Sequence, residues 1–171
     1  MKTYGLIAFF IIYIAIPYAE GAQYSASSFQ QKGVQGEKVN IVDLVSSDPS
    51  LSLLKKALEA ADLAPLLGGS GPFTLFAPND TAFAKLSPNA LEDLFRPENK
   101  KQLIEILKFH IVPGKINPAH LKTMKLKTIE GKTLEIKANS QGVFVNNGKV
   151  IEDEIDTSNG IIYVIDSILQ P

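Results

Sequence analysis

The order of the elements along the chain predicts an α+β fold. Up to about residue 121 the apolar residues recur mainly at helical spacing, whereas beyond residue 122 they alternate as β-strands do. Helices followed by strands are typical of α+β domains. The chain has 171 residues, 45% of them apolar, and no internal repeat. We therefore expect one domain with a sizeable core.

The first 37 residues are predicted to lie outside that domain. Residues 1–21 have the features of a secretory signal peptide: Lys2, an apolar run over 6–16, Pro17, and small residues near Gly21. The run is shorter than the about 20 residues that span a bilayer, so we expect no stable membrane span after cleavage. Residues 22–37 are rich in Gln, Ser and Gly, which favours a flexible leader. A secreted, extracellular location is expected, or a periplasmic one in a bacterium.

Helices are predicted on both sides of one early strand. A short helix is expected over 39–45. In the next predicted helix, Asp48 is the N-cap and Pro49 occupies the first helical position. Apolar residues then recur at helical spacing. Further helices are expected over 88–95 and 98–110, with one more turn at 117–121.

The segment 73–86 combines that strand with a helix. Residues 73–77 are apolar β-formers, and Pro78 ends the strand because it lacks a backbone donor. Asn79 and Asp80 can then cap a short helix by accepting hydrogen bonds from backbone N–H groups.

The last third predicts strands. Residues 126–129 and 133–136 alternate, and 143–145 and 150–151 flank Asn146-Asn147-Gly148, a strong hairpin signal. The continuous apolar run 161–165 predicts a strand that is buried on both faces.

Three ordered segments resemble the fasciclin (FAS1) domain family. They are TLFAPNDTAF at 74–83, LKFHIVPG at 107–114 and NGIIYVIDSILQP at 159–171. The resemblance implies a FAS1 domain over residues 38–171, a wedge of two small twisted β-sheets with helices packed around it. It also implies that the last strand lies beside the strand 73–77.

The same resemblance implies a non-enzymatic, secreted module for cell adhesion or extracellular-matrix association. Its partners would be cell-surface or matrix proteins or glycans, and self-association stays open. An alternative is a small-molecule or glycan-binding extracytoplasmic module, or a hydrolase, that uses the space between sheets and helices.

Composition argues against several other classes of protein. The formal net charge is −1 and Arg96 is the only arginine, which disfavours nucleic-acid binding. There is no cysteine, and the two histidines, His110 and His120, lack the spacing of a helical zinc motif. No catalytic residue, metal site or cofactor is predicted.

Two segments form the candidate adhesion surface through the resemblance. Phe109 and His110 align with the family's Tyr-His region. Glu154, Ile155 and Asp156 match a second adhesion-associated segment, with Glu154-Ile155 in place of Asp-Ile. His110 also lies on the apolar stripe of its helix, which favours a structural role as a donor to a backbone carbonyl or to a cap residue such as Asp80.

Other residues are assigned structural or modification roles. Asn79, Asp80, Asn159, Gly160 and Asp166 belong to the structural motifs, with Asp166 as a local acceptor. Asn79-Asp80-Thr81 is also an N-glycosylation sequon. Two departures from the family pattern are Phe109, usually tyrosine, and Tyr163, usually histidine. A weakly basic face for acidic polysaccharide is a further alternative, carried by Lys122, Lys125, Lys127 and Lys132.

Overall fold

The computed structural model describes residues 38–117 and 122–171, apart from the side chain of residue 153. The predicted signal peptide at 1–21, the leader at 22–37 and His120 lie outside these residues, as does most of the turn predicted at 117–121. No helix in the described ranges is long and apolar enough to cross a membrane.

Six α-helices pack against the sheet in the described residues. Two 3-10 turns, Pro49–Leu51 and Pro97–Asn99, precede the second and sixth of them. The helices are α1 (Ile41–Ser47), α2 (Ser52–Ala60), α3 (Ala64–Leu67), α4 (Asp80–Ala84), α5 (Pro88–Leu94) and α6 (Lys100–Phe109).

Seven strands of the described chain form one hydrogen-bonded sheet in the order β2-β1-β7-β6-β5-β4-β3. Only the β1–β7 pair is parallel. The strands are β1 (Phe73–Pro78), β2 (Ile111–Pro113), β3 (Met124–Lys127), β4 (Thr133–Asn139), β5 (Gly142–Val145), β6 (Gly148–Thr157) and β7 (Gly160–Ile165). The predicted α+β class is confirmed.

The long strand β6 joins the two halves of the sheet. Its first two residues pair with β5, and the part from Val150 to Thr157 pairs with β7, with two register shifts on the way. Such irregularities bend a strand and increase its twist. The far edges also approach each other, because the Ile129 N–H donates to the Ile111 carbonyl (2.9 Å). The sheet thereby curves around an interior. The two small sheets that the resemblance implied are joined through β6 into one continuous sheet.

The alternation of side chains divides β1 and β7 between two cores. Leu75, Ala77, Ile162 and Val164 face the helices, in a cluster with the buried residues of α1 to α6. The alternate residues of these strands face the interior of the curved sheet. That interior cluster consists of Phe76, Phe109, Val112, Leu134, Ile136, Val145, Ile161, Tyr163, Ile165 and Leu169. The prediction of a two-faced strand at 161–165 is correct, since every residue there is buried.

Some predicted boundaries differ from the structure. The strand predicted at 150–151 extends over Gly148–Thr157. The acidic residues in this segment conceal the strand in the sequence, and Glu152, Glu154 and Asp156 are exposed to solvent. The strand predicted at 126–129 begins earlier, at Met124, and ends at Lys127.

Candidate functional site

The first and last signature segments meet along the β1–β7 pair. The strands run parallel and in register over their full length, from Phe73 beside Gly160 to Pro78 beside Ile165. The predicted closeness of these two segments is therefore correct. The middle segment joins from the other side, because the Phe76 N–H donates to the His110 carbonyl (2.9 Å).

Asn159 connects three elements at one end of this pair. Its side-chain oxygen accepts from the Ile41 N–H (3.0 Å), and its amide nitrogen donates to the carbonyls of Leu67 (2.6 Å) and Gly69 (2.8 Å). The side chain is buried, and these bonds satisfy both of its polar atoms. Asn159 thus fixes α1 and the end of α3 to the start of β7.

Glycines allow the chain to approach closely at the same end. A Cβ on Gly160 would lie 2.0 Å from the Phe73 carbonyl oxygen, far inside contact distance. A Cβ on Gly71 would lie 2.2 Å from the Asn159 carbonyl oxygen, and Gly71 also has a φ of +57°. A larger residue at Gly160 would therefore push β7 away from β1.

Asn79 caps the helix that follows β1. Its side-chain oxygen accepts from the Ala82 N–H (2.9 Å), and its own N–H donates to the Ile165 carbonyl (3.1 Å). The first bond satisfies a helix-terminal donor, as predicted from the sequence. The second ties the turn to the end of β7.

Asp80 caps a different helix from the one expected. Its carboxylate accepts from the Leu53 N–H (2.9 Å) and from the Ser52 hydroxyl (2.5 Å). Both donors lie in the first turn of α2, and the N-cap residue of that helix, Leu51, provides no side-chain cap. The predicted role in capping α4 is therefore wrong, since Asn79 fills that role and Asp80 joins α4 to α2.

His110 is buried within the fold. Nδ1 lies 2.8 Å from the Ile106 carbonyl oxygen, and Nε2 accepts from the Leu169 N–H (3.0 Å). These contacts require a neutral ring with its proton on Nδ1. Burial lowers the pKa of His110 from 6.5 to about 4, and the bond to Ile106 opposes that shift only in part.

Phe109 and His110 do not form the predicted adhesion surface. Their exposed fractions are 2% and 0%. Phe109 packs inside the curved sheet, and His110 holds the C-terminal segment through Leu169. Phe109 and His110 face the protein interior because the end of α6 turns directly into β2.

Tyr163 is also buried in the interior of the curved sheet. Its ring stacks on Phe76 with the centroids 5.7 Å apart, and its hydroxyl donates to the Ile116 carbonyl (2.7 Å). A buried tyrosine needs such a partner for its hydroxyl. The hydroxyl of Tyr163 is therefore satisfied within the protein.

The second candidate segment, 154–156, reaches the surface in part. Glu154 is exposed, whereas Ile155 is half-buried and packs against the helix-side core. Asp156 forms ion pairs with Lys38 and Lys115. Hydrogen bonds from Lys115 and Lys38 lower the pKa of Asp156 below its usual value. Glu154 and Asp156 are both exposed, but no ion pair to Glu154 is found in the described residues.

Asp166 is a local acceptor, as expected. Its carboxylate accepts from the Lys149 N–H (2.8 Å), the Ser167 hydroxyl (3.0 Å) and the Lys85 ammonium (2.9 Å). Burial raises the pKa of Asp166, but these bonds outweigh it and leave the pKa below its usual value. The acid joins the start of β6 to the end of β7.

The sequon at Asn79 overlaps this structural corner. The side-chain oxygen of Asn79 is engaged as a helix cap, and Thr81 is exposed. Glycosylation of Asn79 stays a prediction.

Within residues 38–117 and 122–171, no three side chains of His, Asp or Glu converge in a way that could hold a metal ion. The interior of the curved sheet is filled by ten aromatic and aliphatic residues, none of them more than 3% exposed. The described cavities near α6 lie outside that interior. One of about 250 Å³ is lined by Gln102, Glu105, Ile106, Gln170 and Pro171.

Comparison with known proteins assigns the family. The fasciclin domain model matches residues 49–171. The chain belongs to the fasciclin (FAS1) domain family. It is 36% identical over 153 residues to protein sll1483 of a Synechocystis species, covering 90% of this chain and 85% of that protein.

Two further similarities concern surface proteins. The chain is 30% identical to the cell surface glycolipoprotein MPB83 of Mycobacterium bovis, over 88% of this chain and 70% of that protein. It also superposes on a FAS1 domain pair from the insect cell adhesion molecule fasciclin I, with a TM-score of 0.71 and 22% identity. That alignment covers 79% of this chain and about half (52%) of the solved one, and it confirms the FAS1 fold. Proteins of adhesion and of cell surfaces thus recur in the family.

Proposed function

We propose that this protein is a secreted, non-enzymatic module for adhesion or matrix association that acts through its surface. The family, with its cell-surface and adhesion members, supports this proposal. The partners would be cell-surface or matrix proteins or glycans, or a second copy of the domain.

The proposal depends on one observation: the polar side chains of the signature segments form their hydrogen bonds within the chain. Asn79, Asn159 and His110 all bond to groups of the same chain. No buried side-chain polar atom of the described residues lacks a hydrogen-bond partner. The signature segments therefore build the scaffold, and the exposed residues are left to make contacts with other molecules.

Glu154 is the proposed contact residue for a protein receptor. Its carboxylate is exposed on β6, whereas neighbouring Asp156 is held by two lysines. An exposed carboxylate can complete the coordination of a divalent cation on a receptor, because Ca²⁺ and Mg²⁺ prefer oxygen ligands. Binding of this kind requires the cation.

The test compares attachment of cells and of matrix proteins to the immobilised protein. Glu154→Gln should weaken attachment, and chelation of divalent cations should remove the same component. Glu98→Gln is the matched control, since Glu98 is equally exposed in the 3-10 turn before α6. If the unchanged protein attaches to no cell, matrix protein or glycan, the proposed function is wrong. If both variants bind equally well, Glu154 is not the contact residue.

A further inference from the structure

One part of the chain is much more basic than the whole. Residues 122–149 contain six lysines and two glutamates, whereas the entire protein has a formal net charge of −1. This region forms β3, β4, β5 and the start of β6. The positive charge is therefore concentrated on one half of the sheet.

Strand register brings the basic residues to one face of that half. Lys125 lies opposite Glu135, Lys137 opposite Phe144, and Phe144 opposite Lys149. Directly opposed residues of antiparallel strands point to the same side. The alternate residues Leu134, Ile136 and Val145 are buried in the interior, so the lysines face outward. We call this outward surface the lysine face: Lys125, Lys127, Glu135, Lys137, Phe144 and Lys149.

Phe144 is the aromatic residue of the lysine face. It is half-buried and belongs to neither apolar core, in contrast to its neighbours Val143 and Val145. Lysines stand directly across from it on both adjoining strands. The side chain of Lys149 also extends over the face, since its Cε would lie 3.4 Å from a Cβ on Gly142. An apolar ring is thus framed by cationic groups.

Few of these charges are neutralised within the described residues. Glu130 pairs with Lys132 (3.6 Å) and Glu135 pairs with Lys137 (3.1 Å). Lys122, Lys125, Lys127 and Lys149 are exposed, and their ammonium groups form no ion pair within the described residues. Residues two apart on a strand are separated by ~7 Å, which spreads the free ammonium groups over an open surface.

We propose that the lysine face binds an acidic polysaccharide. The ammonium groups contact carboxylate or sulfate groups of the polymer, and Phe144 packs against the apolar C–H face of a sugar ring. Lysine suits such a partner, because its compact charge binds anions without the fixed bidentate geometry of arginine. Arg96 lies away from this face, paired with Asp93 and Glu92. This proposal rests on the proposed function, and it names one partner class for it.

The first experiment measures affinity of the full secreted protein for four polymers of similar length. They are a polyuronate, a sulfated polysaccharide, neutral dextran and polyglutamate, each at low and at physiological salt. We expect binding to one or both acidic polysaccharides, none to dextran, and weaker binding at higher salt. The two acidic polymers distinguish carboxylate from sulfate as the preferred group. Equal binding to dextran, or no binding to either acidic polysaccharide at low salt, overturns the proposal.

Two variants test the face itself. Lys125→Gln combined with Lys127→Gln should weaken polysaccharide binding about tenfold, since each exposed charge contributes modestly. Lys56→Gln combined with Lys101→Gln is the matched control, because both lysines are exposed on helices and the net charge changes equally. An equal loss in the control overturns the proposal, since the effect would then follow from overall charge.

Phe144→Ala separates sugar recognition from charge alone. It should weaken polysaccharide binding and leave polyglutamate binding unchanged. An equal effect on both polymers, or tighter binding to DNA than to either polysaccharide, overturns the proposal. The proposed function is tested separately: if the Lys125→Gln, Lys127→Gln protein attaches to cells as well as the unchanged protein while losing no polysaccharide affinity, only this face is refuted.

Discussion

The two halves of the sheet differ in what covers them. Strands β1 and β7 have helices on one side and the interior cluster on the other, and every residue of β7 is buried. Strands β3 to β5 have the same interior on one side and solvent on the other. Lys125, Lys127 and Lys137 are exposed on that solvent side.

The difference separates structural residues from residues that are available for contacts. In the covered half, which contains β1 and β7, the polar side-chain atoms of Asn159, His110 and Thr74 form hydrogen bonds with neighbouring groups of the same chain. In the open half, the side chains of Lys125, Lys127 and Lys137 are exposed and form the outward surface. The most recognisable sequence motifs therefore mark the scaffold, and a binding partner has to be sought on the less distinctive surface.

The largest expected effect is at Gly160, in the covered half. Gly160→Ala places a Cβ 2.0 Å from the Phe73 carbonyl oxygen and 2.9 Å from Cδ1 of Ile41. Overpacking of this kind should cost about 3 kcal/mol of unfolding free energy or more, measured by urea denaturation. Gly148→Ala is the control, since its Cβ would find all neighbours at 3.5 Å. Similar stabilities of the two variants would contradict the importance of this close approach.

The next effect is a pH dependence due to His110. Its pKa is about 4 when folded and 6.5 when unfolded, so only the unfolded chain gains a proton between these values. Stability should fall as pH falls from 6.5 to 4, by up to about 3 kcal/mol over the window. Asp156 and Asp166 have pKa values below the usual 3.8, so their effect on stability appears mainly at lower pH, outside this window.

Urea denaturation at several pH values measures the dependence on His110. His110→Asn should be less stable at pH 7 and should lose most of the slope between pH 6.5 and 4. A slope that persists unchanged in this variant would assign the dependence to other groups.

A pair of matched threonine substitutions compares the halves directly. The buried Thr74 hydroxyl donates to the Gly114 carbonyl (2.7 Å) and accepts from the Ile116 N–H (3.0 Å). Thr74→Val leaves both partners unsatisfied and should cost about 2 kcal/mol. Thr133→Val, on the exposed side of β4, should change stability by less than about 0.5 kcal/mol. Equal effects in thermal or urea denaturation would remove the distinction between the halves.

The smallest effect concerns Asp80, at the exit of β1. Asp80→Ala removes the cap of α2 and should cost about 1 kcal/mol. A double-mutant cycle with Ser52→Ala identifies the helix concerned, because residues in direct contact give non-additive effects. Strict additivity in the cycle would show that the bond between Asp80 and the Ser52 hydroxyl does not contribute to stability.

The resemblance and the local patterns predicted much of the covered half. The unbroken apolar run at 161–165 indicated burial on both faces, and Pro78 marked the end of β1. Patterns failed where the surroundings decide the outcome. The acidic residues of 152–156 concealed most of β6, and the basic face predicted at Lys122, Lys125, Lys127 and Lys132 lacked Lys137, Lys149 and Phe144. Those three come from separate strands, and only register unites them.

The sequence by itself determined the α+β class, the strand-to-helix corner at 73–86 and the two-faced strand near the end. These features follow from local periodicity and from residues such as Pro78 and Asn79 that act on their immediate neighbours. The tertiary structure alone decided that Asp80 caps α2, that Asn159 holds α1 and α3, and that His110 accepts a hydrogen bond from Leu169. Each depends on partners distant in sequence, such as Ser52, Leu67 and Leu169. Such contacts leave no local pattern, because chain folding brings the groups together.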